Sequence, residues 1–354
     1  MVLDASPFVF DCPRSIISPA GSGALKMTAN RYTASESTTA NTQGLTFVFL
    51  HGIGAHKEQW EPLISELFFL QQNKPPHLRV REAWSLDRQN HGDAAVLNAD
   101  ELAARDRGQC PAVSAAEWGE GIAGFLNSEH VREHRIVVVG HSAGSAAGVI
   151  ATKHLDLSVV CIVGMILTAP AMLAPDIYHR YLEPTAFKLS EAARQRPDTW
   201  ASREEAHRWL KSRFPWNRWD ERVLRLLVSH GLTLTPSNLN VTLKCPKHQE
   251  SSSFPDTFSQ FSAIEQFQEI CRLIPLHVVW GTKDHLLPEI VQGSISDESQ
   301  GRVAKSVTRM IGCGHMMFQE RPGEVAGVIS GICERIEAVD GKLQNGRRRV
   351  RSQL

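Results

Sequence analysis

The sequence is organised around Val137-Val138-Val139-Gly140-His141-Ser142-Ala143-Gly144, where a run of valines stops at the pattern Gly-x-Ser-x-Gly. The residues that follow, 145–152, are mostly small and apolar and predict a helix that begins at once. A strand, a sharp turn and a helix form the context of a nucleophile elbow, whose turn forces Ser142 into a strained backbone conformation. Residues two positions to either side must then be small, and Gly140 and Gly144 meet that demand. A pattern this short also occurs by chance in loops, so the interpretation depends on partners elsewhere in the chain.

Upstream of this elbow, a second buried strand is predicted at Leu45-Thr46-Phe47-Val48-Phe49-Leu50, and it runs into His51-Gly52-Ile53-Gly54. The first glycine allows a turn that aims the next backbone N–H groups toward the nucleophile. We expect the N–H groups of Ile53 and Ala143 to form an oxyanion hole. The alternative is a plain strand-to-helix turn. In either case we expect His51 to be a structural hydrogen-bonding residue rather than a base.

Downstream, two more strand ends carry the groups that a serine nucleophile needs. A serine hydroxyl requires an imidazole base, and the imidazole requires a carboxylate that fixes its tautomer. Asp284 follows the apolar run 276–281, and His315 follows the strand-like run 307–311 in a glycine-flanked turn. Because such groups gather at the carboxyl ends of strands in an open α/β sheet, we predict that they act together with Ser142.

Each of these two partners has an alternative. Asp284 could instead cap a helix N-terminus, and Asp176, at the end of the preceding predicted strand, is the other candidate carboxylate. The chain has 15 histidines, and a lone histidine is usually structural. The position of His315 between the last strand and the last helix favours it over His285 and His91, and His285 is expected to point away from Asp284.

Composition and motifs exclude several classes of function. Lys+Arg and Asp+Glu both number 38, so the formal net charge is zero and nothing indicates nucleic-acid binding or general attraction to anionic membranes. No H-E-x-x-H, clustered Cys/His spacing, G-x-G-x-x-G or P-loop occurs, so we expect a reaction without metal or cofactor. The seven cysteines lack C-x-x-C spacing, which favours reduced thiols in an intracellular protein.

The order of elements predicts an α/β fold. Strands alternate with helices through short turns, which is typical of a mostly parallel central sheet flanked by helices. We expect a core in two parts, 1–171 and 271–340, an inserted helical cap over 172–270, and a basic tail over 341–354. The longest apolar stretch, 157–174, contains a proline and predicts a buried strand rather than a membrane span.

Local patterns predict the individual elements. We expect an initial strand interrupted by Pro13, with an antiparallel partner, and a cap helix that starts near Asp220 and is stopped by Gly231. The predicted bounds are 8–17 and 26–33 for the first two strands, 57–71 for a helix, 78–84 for a strand, 100–127 for a mostly helical region, and 323–339 for the last helix.

The cap is rich in tryptophan, at Trp200, Trp209, Trp216 and Trp219. These side chains could line an apolar acyl pocket. The alternative is that they pack the cap against the sheet domain, and we expect this for at least half of them.

Together these residues resemble the α/β-hydrolase superfamily of the serine-nucleophile type, over about 44–330. The chain is similar in particular to a fungal group that includes a peroxisomal lipase and hydrolases of host-selective toxin biosynthesis. The resemblance implies hydrolysis of a carboxylic ester, lipid ester or thioester of a small, apolar acyl substrate, possible roles in lipid or secondary metabolism, and no cofactor. The residues that carry the closer likeness are Phe47-Val48-Phe49-Leu50-His51-Gly52, Trp219-Asp220-Glu221-Arg222-Val223-Leu224, Leu243-Lys244-Cys245-Pro246 and Trp280-Gly281-Thr282-Lys283-Asp284.

Two other functions stay open at this point. The same fold could serve as a ligand-binding or interaction protein with little turnover, or the same triad could cleave C–C bonds or transfer acyl groups. Epoxide hydrolases and dehalogenases are disfavoured, because they place an aspartate where Ser142 stands.

The C-terminus suggests a location. Ser352-Gln353-Leu354 resembles the S-K-L signal read by the peroxisomal import receptor, although Gln353 departs from the usual basic residue. The alternative is a solvated basic tail. With no signal-peptide pattern at the N-terminus, we expect an intracellular protein, either peroxisomal or cytoplasmic, without a transmembrane segment.

Overall fold

The computed structural model describes residues 3–18, 21–34, 41–107 and 112–335 of the 354-residue chain. The predicted tail, 341–354, with the tripeptide Ser352-Gln353-Leu354, lies outside the described residues, as do positions 336–339 of the last predicted helix. The strands in chain order are β1 (Leu3–Asp11), β2 (Lys26–Ala34), β3 (Leu45–Leu50), β4 (Val80–Leu86), β5 (Arg135–His141), β6 (Ile162–Thr168), β7 (Thr199–Trp200), β8 (Leu232–Leu234), β9 (Val241–Leu243), β10 (Leu276–Gly281) and β11 (Ser306–Met310).

Helices connect most of these strands. The α-helices are α1 (Glu61–Gln71), α2 (Gly92–Leu97), α3 (Ala99–Arg107), α4 (Ala115–Asn127), α5 (Ala143–Ala151), α6 (Pro175–Ile177), α7 (Glu183–Gln195), α8 (Arg203–Lys211), α9 (Glu221–His230), α10 (Lys247–Ser251), α11 (Thr257–Ile270), α12 (Glu289–Ile295), α13 (Met317–Glu320) and α14 (322–335). Short 3₁₀ turns occur at Lys57–Trp60, Pro76–Leu78, Thr152–His154, Trp216–Arg218 and Glu298–Gln300, and Tyr178–Leu182 is a π-helical turn between α6 and α7.

The central sheet is mostly parallel. In the described ranges it has eight strands in the order β1-β2-β4-β3-β5-β6-β10-β11. The pairs from β4 to β11 are parallel, whereas β1 pairs antiparallel with β2, and β2 pairs antiparallel with β4. The mostly parallel sheet flanked by helices confirms the predicted α/β fold.

The strands at the centre of the sheet are buried along their whole length. Every residue of β3, β6 and β10 is buried, as expected for strands covered on both faces. The apolar stretch 157–174 supplies β6, between β5 and β10, and is a strand as predicted. Among the described residues, no helix has the length and apolar character that a membrane crossing needs.

The predicted bounds of the first strand are wrong. The first strand was expected at 8–17, but β1 ends at Asp11, before Pro13, because proline lacks the N–H that a ladder requires. Its antiparallel pairing with β2 is as predicted. The region 100–127 is mostly helical, as predicted: it contains α3 and α4, and Ser114 caps α4 by accepting a hydrogen bond from the Glu117 N–H.

The predicted cap region contains its own small core. Between β6 and β10 the chain forms α6 to α11 and a three-stranded sheet in the order β7-β9-β8. Helix α11 belongs to the main core through buried residues such as Phe267, and the limits 172 and 270 remain predictions. The second core, called the cap cluster below, consists of Trp200, Ala206, Leu210, Trp219, Val223, Leu224, Leu227, Val228, Leu232 and Val241.

Helix α9 begins and ends at the expected residues. The carboxylate of Asp220 accepts a hydrogen bond from the Arg222 N–H at its start, and Gly231 follows its last residue. Gly231 has ordinary negative φ, −80°, so its role is not left-handed geometry. A Cβ at this position would lie 2.6 Å from the carbonyl oxygen of Leu227, and this close approach explains the glycine.

Candidate active site

Ser142 lies on a strained turn between β5 and α5. Its φ is 53° and its ψ is −119°, a backbone conformation that non-glycine residues rarely adopt. A Cβ on Gly140 would lie 2.5 Å from the Cα of Ser145, and a Cβ on Gly144 would lie 2.3 Å from the carbonyl oxygen of Leu50. Both glycines are therefore required by close backbone approach, as the sequence argument anticipated.

A chain of hydrogen bonds joins the three residues predicted to act together. The Nε2 atom of His315 lies 3.1 Å from the Oγ atom of Ser142. On the other side of the ring, Nδ1 lies 3.0 Å from the Oδ2 atom of Asp284. Because a carboxylate only accepts hydrogen bonds, Nδ1 carries the proton and Nε2 is left to accept from the serine hydroxyl. This is the arrangement that a general base requires.

Asp284 is held in place from two directions. Its Oδ1 atom accepts hydrogen bonds from the N–H groups of Leu286 at 2.9 Å and Leu287 at 3.0 Å. Burial alone would raise the pKa of this carboxyl, but the attraction of His315 and these hydrogen bonds outweigh burial and lower the pKa below its usual value of 3.8. The carboxylate is thus ionised at neutral pH and faces the imidazole. It caps the turn after β10 and contacts His315 at the same time.

The rival residues named from the sequence lie elsewhere. Asp176 is exposed in the first turn of α6. His285 is exposed and follows Asp284 without a hydrogen bond to it. His91 is buried, with Nε2 accepting from the N–H of Gly54 at 3.1 Å. The histidine that meets the serine is His315.

The turn after β3 brings Ile53 to the same place. Ile53 and Ala143 both line the cavity into which Ser142 opens, and Ala143 is the first residue of α5, where backbone N–H groups have no partner within the helix. A Cβ on Gly52 would lie 2.9 Å from the Nδ1 atom of His141. This loop therefore approaches the elbow as closely as a residue without a side chain allows.

His51 is a structural residue. Its Nδ1 lies 2.8 Å from the carbonyl oxygen of Gly52, and its Nε2 accepts a hydrogen bond of 3.1 Å from the N–H of Arg88. Burial lowers the pKa of His51 to about 4, which keeps the ring neutral. With both nitrogens bound to backbone groups, this side chain has no free nitrogen to serve as a base.

One further residue was not foreseen. His141, which immediately precedes the serine, places Nε2 2.9 Å from the carbonyl oxygen of His315. Burial, together with the charge that His315 can carry, lowers the pKa of His141 to about 3, so the neutral ring donates this bond. It ties the backbone of His315 to the elbow. The histidine at the second position of Gly-x-Ser-x-Gly was the available signal.

Ser142 and His315 open into a cavity of about 680 Å³. Trp209, Trp216 and Trp219 line this cavity and also pack in or against the cap cluster, whereas Trp200 is buried in that cluster and does not line the cavity. Packing and lining are therefore not alternatives for these side chains. Other apolar residues of the wall are Leu182, Leu189, Phe254 and Leu286.

Comparison with known families decides the classification. The model of the alpha/beta hydrolase family matches residues 47–328, most of the chain. The chain belongs to the alpha/beta hydrolase family. The match includes the elbow, the loop after β3, His315, which contacts the serine, and Asp284, which contacts His315.

Individual relatives of this α/β hydrolase are distant. A curated protein named type I acyl-CoA thioesterase mpaH, from Penicillium brevicompactum, is 26% identical over 251 residues, which are 64% of this chain and 53% of that protein. The chain thus spans about half the length of the curated relative it matches.

Solved structures share the fold of this α/β hydrolase. The peroxisomal α/β hydrolase Lpx1 of Saccharomyces cerevisiae superimposes with a TM-score of 0.75 at 19% identity, over 94% of this chain and 89% of that one. An esterase of M. tuberculosis gives a TM-score of 0.62 at 18% identity, over 93% and 92%. At these identities the likeness shows the fold.

In the part of this α/β hydrolase that the structure describes, no group of three or more His, Cys, Asp or Glu side chains is arranged to hold a metal ion.

Proposed function

We propose that this α/β hydrolase cleaves a carboxylic ester, a lipid ester or a thioester, with Ser142 as nucleophile, His315 as general base and Asp284 as the residue that orients the base. The observation that carries the proposal is the unbroken line of hydrogen bonds from Ser142 through His315 to Asp284, which ends at an apolar cavity. The family membership supports the same reaction class.

The proposed first half of the reaction forms an acyl-enzyme. The Oγ atom of Ser142 attacks the acyl carbonyl as its proton passes to Nε2 of His315, and the carbonyl oxygen becomes an oxyanion. The N–H groups of Ile53 and Ala143 donate to that oxyanion, where each donor contributes roughly 3 kcal/mol to transition-state stabilisation. His315 then gives its proton to the leaving alcohol or thiol, and the bond between carbonyl carbon and leaving group breaks.

The proposed second half of the reaction hydrolyses the acyl-enzyme and regenerates the free enzyme. Water attacks the acyl carbonyl as its proton passes to His315, a second oxyanion forms, and its collapse releases the carboxylic acid. His315 returns the proton to Ser142. The charge of His315 during each half is balanced by Asp284, whose lowered pKa keeps it ionised.

The substrate is proposed to carry an acyl group with considerable apolar surface, because tryptophan and leucine side chains form much of the cavity wall. The thioesterase named among the relatives favours a thioester, and its fungal source supports a role in lipid or secondary metabolism. The peroxisomal hydrolase among the structural neighbours supports a peroxisomal or cytoplasmic location. Ser352-Gln353-Leu354 is proposed as the segment that an import receptor would bind.

A fluorophosphonate probe tests the nucleophile directly. We expect the purified protein to be labelled and to hydrolyse p-nitrophenyl esters, and we expect Ser142→Ala and His315→Ala to lose both activities while unfolding at the wild-type temperature. A folded wild-type protein that takes up no probe and turns over no ester of any chain length would overturn the proposal and favour a binding function.

A further inference from the structure

Arg88 is a buried cation in the wall of the cavity. It follows β4, is 1% exposed, and lines the same cavity as Ser142. Its Nη2 atom donates to the carbonyl oxygen of Val113, but its Nε atom has no hydrogen-bond partner in the described residues. No carboxylate of the described residues forms an ion pair with Arg88. Because burying a charge without a counter-charge is costly, this side chain is incompletely satisfied.

Two acidic side chains that line the cavity with Arg88 are bound to other groups. Asp256 accepts hydrogen bonds from the N–H groups of Ala115 at 2.8 Å and Ser259 at 3.1 Å. Glu250 forms a two-pronged ion pair with Arg196, at 3.0 and 2.5 Å. Both carboxylates line the cavity, and neither forms an ion pair with Arg88, although Asp256 attracts it electrostatically. The Nε–H group of Arg88 is therefore left without a partner in the described residues, and a ligand in the cavity could supply one.

A second buried polar side chain of the cavity wall lies on α11. Gln260, in the first turns of α11, is 8% exposed and lines the cavity, and its Oε1 atom has no hydrogen-bond partner among the residues that the structure describes. The wall here is formed where α4 meets α11, because Ala116 donates its N–H to the hydroxyl of Ser259 at 2.9 Å. Rotation of the amide exchanges its oxygen and nitrogen, so Gln260 can present either a donor or an acceptor.

The position of this wall relative to Ser142 indicates which part of a substrate reaches it. Arg88 follows β4 and Ser142 follows β5, with β3 between them, so the two chain positions are about 10 Å apart, two strand spacings. Arg213, Lys283 and Arg218, by contrast, line the cavity but are exposed. Arg88 is thus a buried cation of the cavity wall, whereas these three cations lie where the wall is exposed.

We propose that Arg88 and Gln260 form a subsite for a carboxylate at the far end of the acyl chain, so that the substrate is a half-ester or half-thioester of a dicarboxylic acid. A guanidinium matches a carboxylate with paired hydrogen bonds, and the apolar wall holds the chain between the two ends. The inference rests on the proposed function, since it assigns the far end of the group that Ser142 would receive. Burial lowers the pKa of Arg88, and the attraction of Asp256 offsets only part of this effect.

The test compares matched pairs of substrates. p-Nitrophenyl half-esters of adipic, suberic and sebacic acid are compared with p-nitrophenyl hexanoate, octanoate and decanoate. For the wild-type protein we expect kcat/KM of the half-ester to exceed that of its neutral partner at one length, by about 10- to 100-fold, the range of a hydrogen bond to a charged group. A ratio below one at all three lengths overturns the subsite.

Variants then locate the effect. Arg88→Met is expected to lower that ratio at least tenfold, and Gln260→Leu, which keeps Arg88 in place if the first variant does not fold, is expected to lower it in the same direction. Arg213→Met removes the same charge from the exposed rim and is expected to leave the ratio unchanged. A ratio that falls equally in Arg213→Met, or in neither subsite variant, refutes recognition by the buried wall.

A binding measurement separates this inference from the proposed function. Calorimetry with Ser142→Ala is expected to show tighter binding of monomethyl suberate than of methyl octanoate, which has the same chain without the free carboxylate, and the preference is expected to decrease when Gln260→Leu is added. If no ester is hydrolysed but monomethyl suberate is preferred, the hydrolase proposal fails and the subsite stands. If neutral esters are hydrolysed and methyl octanoate binds as well as monomethyl suberate, the subsite fails and the hydrolase proposal stands.

Discussion

Replacing Asp284 with asparagine exchanges one carboxylate oxygen for an NH₂ group, and we expect it to hold His315 in the wrong tautomer. The Oδ1 atom of Asp284 accepts the N–H groups of Leu286 and Leu287 at 2.9 and 3.0 Å. In Asp284→Asn the amide oxygen must take this position, because an NH₂ group there would face two donors. The NH₂ group then faces Nδ1 of His315, which must become an acceptor, so the ring proton moves to Nε2 and points at Ser142.

The size of the loss follows from this wrong tautomer. An imidazole that carries its proton on Nε2 cannot accept the hydroxyl proton of Ser142, and the correct tautomer would require breaking the two backbone hydrogen bonds of residue 284. We expect kcat to fall about 10⁴-fold, the loss observed for this fault in serine hydrolases, which is about 5.4 kcal/mol in the activation free energy. The side chain keeps its shape, so the midpoint of thermal unfolding should change little.

The assay is steady-state hydrolysis of a p-nitrophenyl ester, together with the rate of fluorophosphonate labelling. Asp176→Asn is the matched control, because Asp176 is the rival carboxylate from the sequence and is exposed on α6; we expect less than a twofold change. An Asp284→Asn protein that keeps a tenth or more of wild-type kcat would refute the inference that Asp284 fixes the tautomer of His315.

Two further predictions concern stability. Gly144→Ala should lower the free energy of unfolding by roughly 3 kcal/mol or more, because the new Cβ would lie 2.3 Å from the carbonyl oxygen of Leu50. The control Gly327→Ala, on α14, places its Cβ where nothing lies within 4 Å and should raise the free energy of unfolding by up to about 1 kcal/mol. Equal effects of the two substitutions in urea unfolding would contradict the close-approach argument. Burial lowers the pKa values of His51, His141 and His277 to about 4, 3 and 4. Below pH 6.5 the unfolded chain therefore binds more protons than the folded chain, and the free energy of unfolding should fall as pH falls toward 4, by up to about 4 kcal/mol per pH unit. A flat profile of unfolding free energy between pH 7.5 and 4.5 would show that these rings are not buried in the neutral form.

The positions of the site residues could be predicted because each one follows a local signal. Ser142, Asp284 and the residues around Ile53 come directly after apolar runs that form β5, β10 and β3, and His315 follows β11 after a glycine-flanked turn. Strand ends in a parallel sheet meet at one edge, so the order of elements alone places these residues near one another. Their mutual distances depend on how the turns close, and no local pattern contains that information.

The loop after β4 shows what the sequence could not reveal. The residues from Asp87 to His91 are all polar and resemble an exposed loop, yet each is 1% exposed or less. Their burial depends on partners that are distant in sequence, such as Lys57, which donates to Asp87 at 3.0 Å, and Val113, which accepts from Arg88. Burial of polar side chains through such long-range contacts leaves no periodic pattern, so the polar wall of the cavity could be recognised only in three dimensions.

The shape of the turn that contains Ile53 depends on the protonation of two buried histidines. His51 accepts the N–H of Arg88 through Nε2, and His91 accepts the N–H of Gly54 through Nε2. Protonation would turn either accepting nitrogen into a donor that faces another donor, and the hydrogen bond would be lost. Burial lowers the pKa of both rings and thereby preserves the bonds that fix the turn containing Ile53. The predicted acid sensitivity of folding and the geometry of the turn containing Ile53 therefore share one cause, burial that keeps imidazole rings neutral.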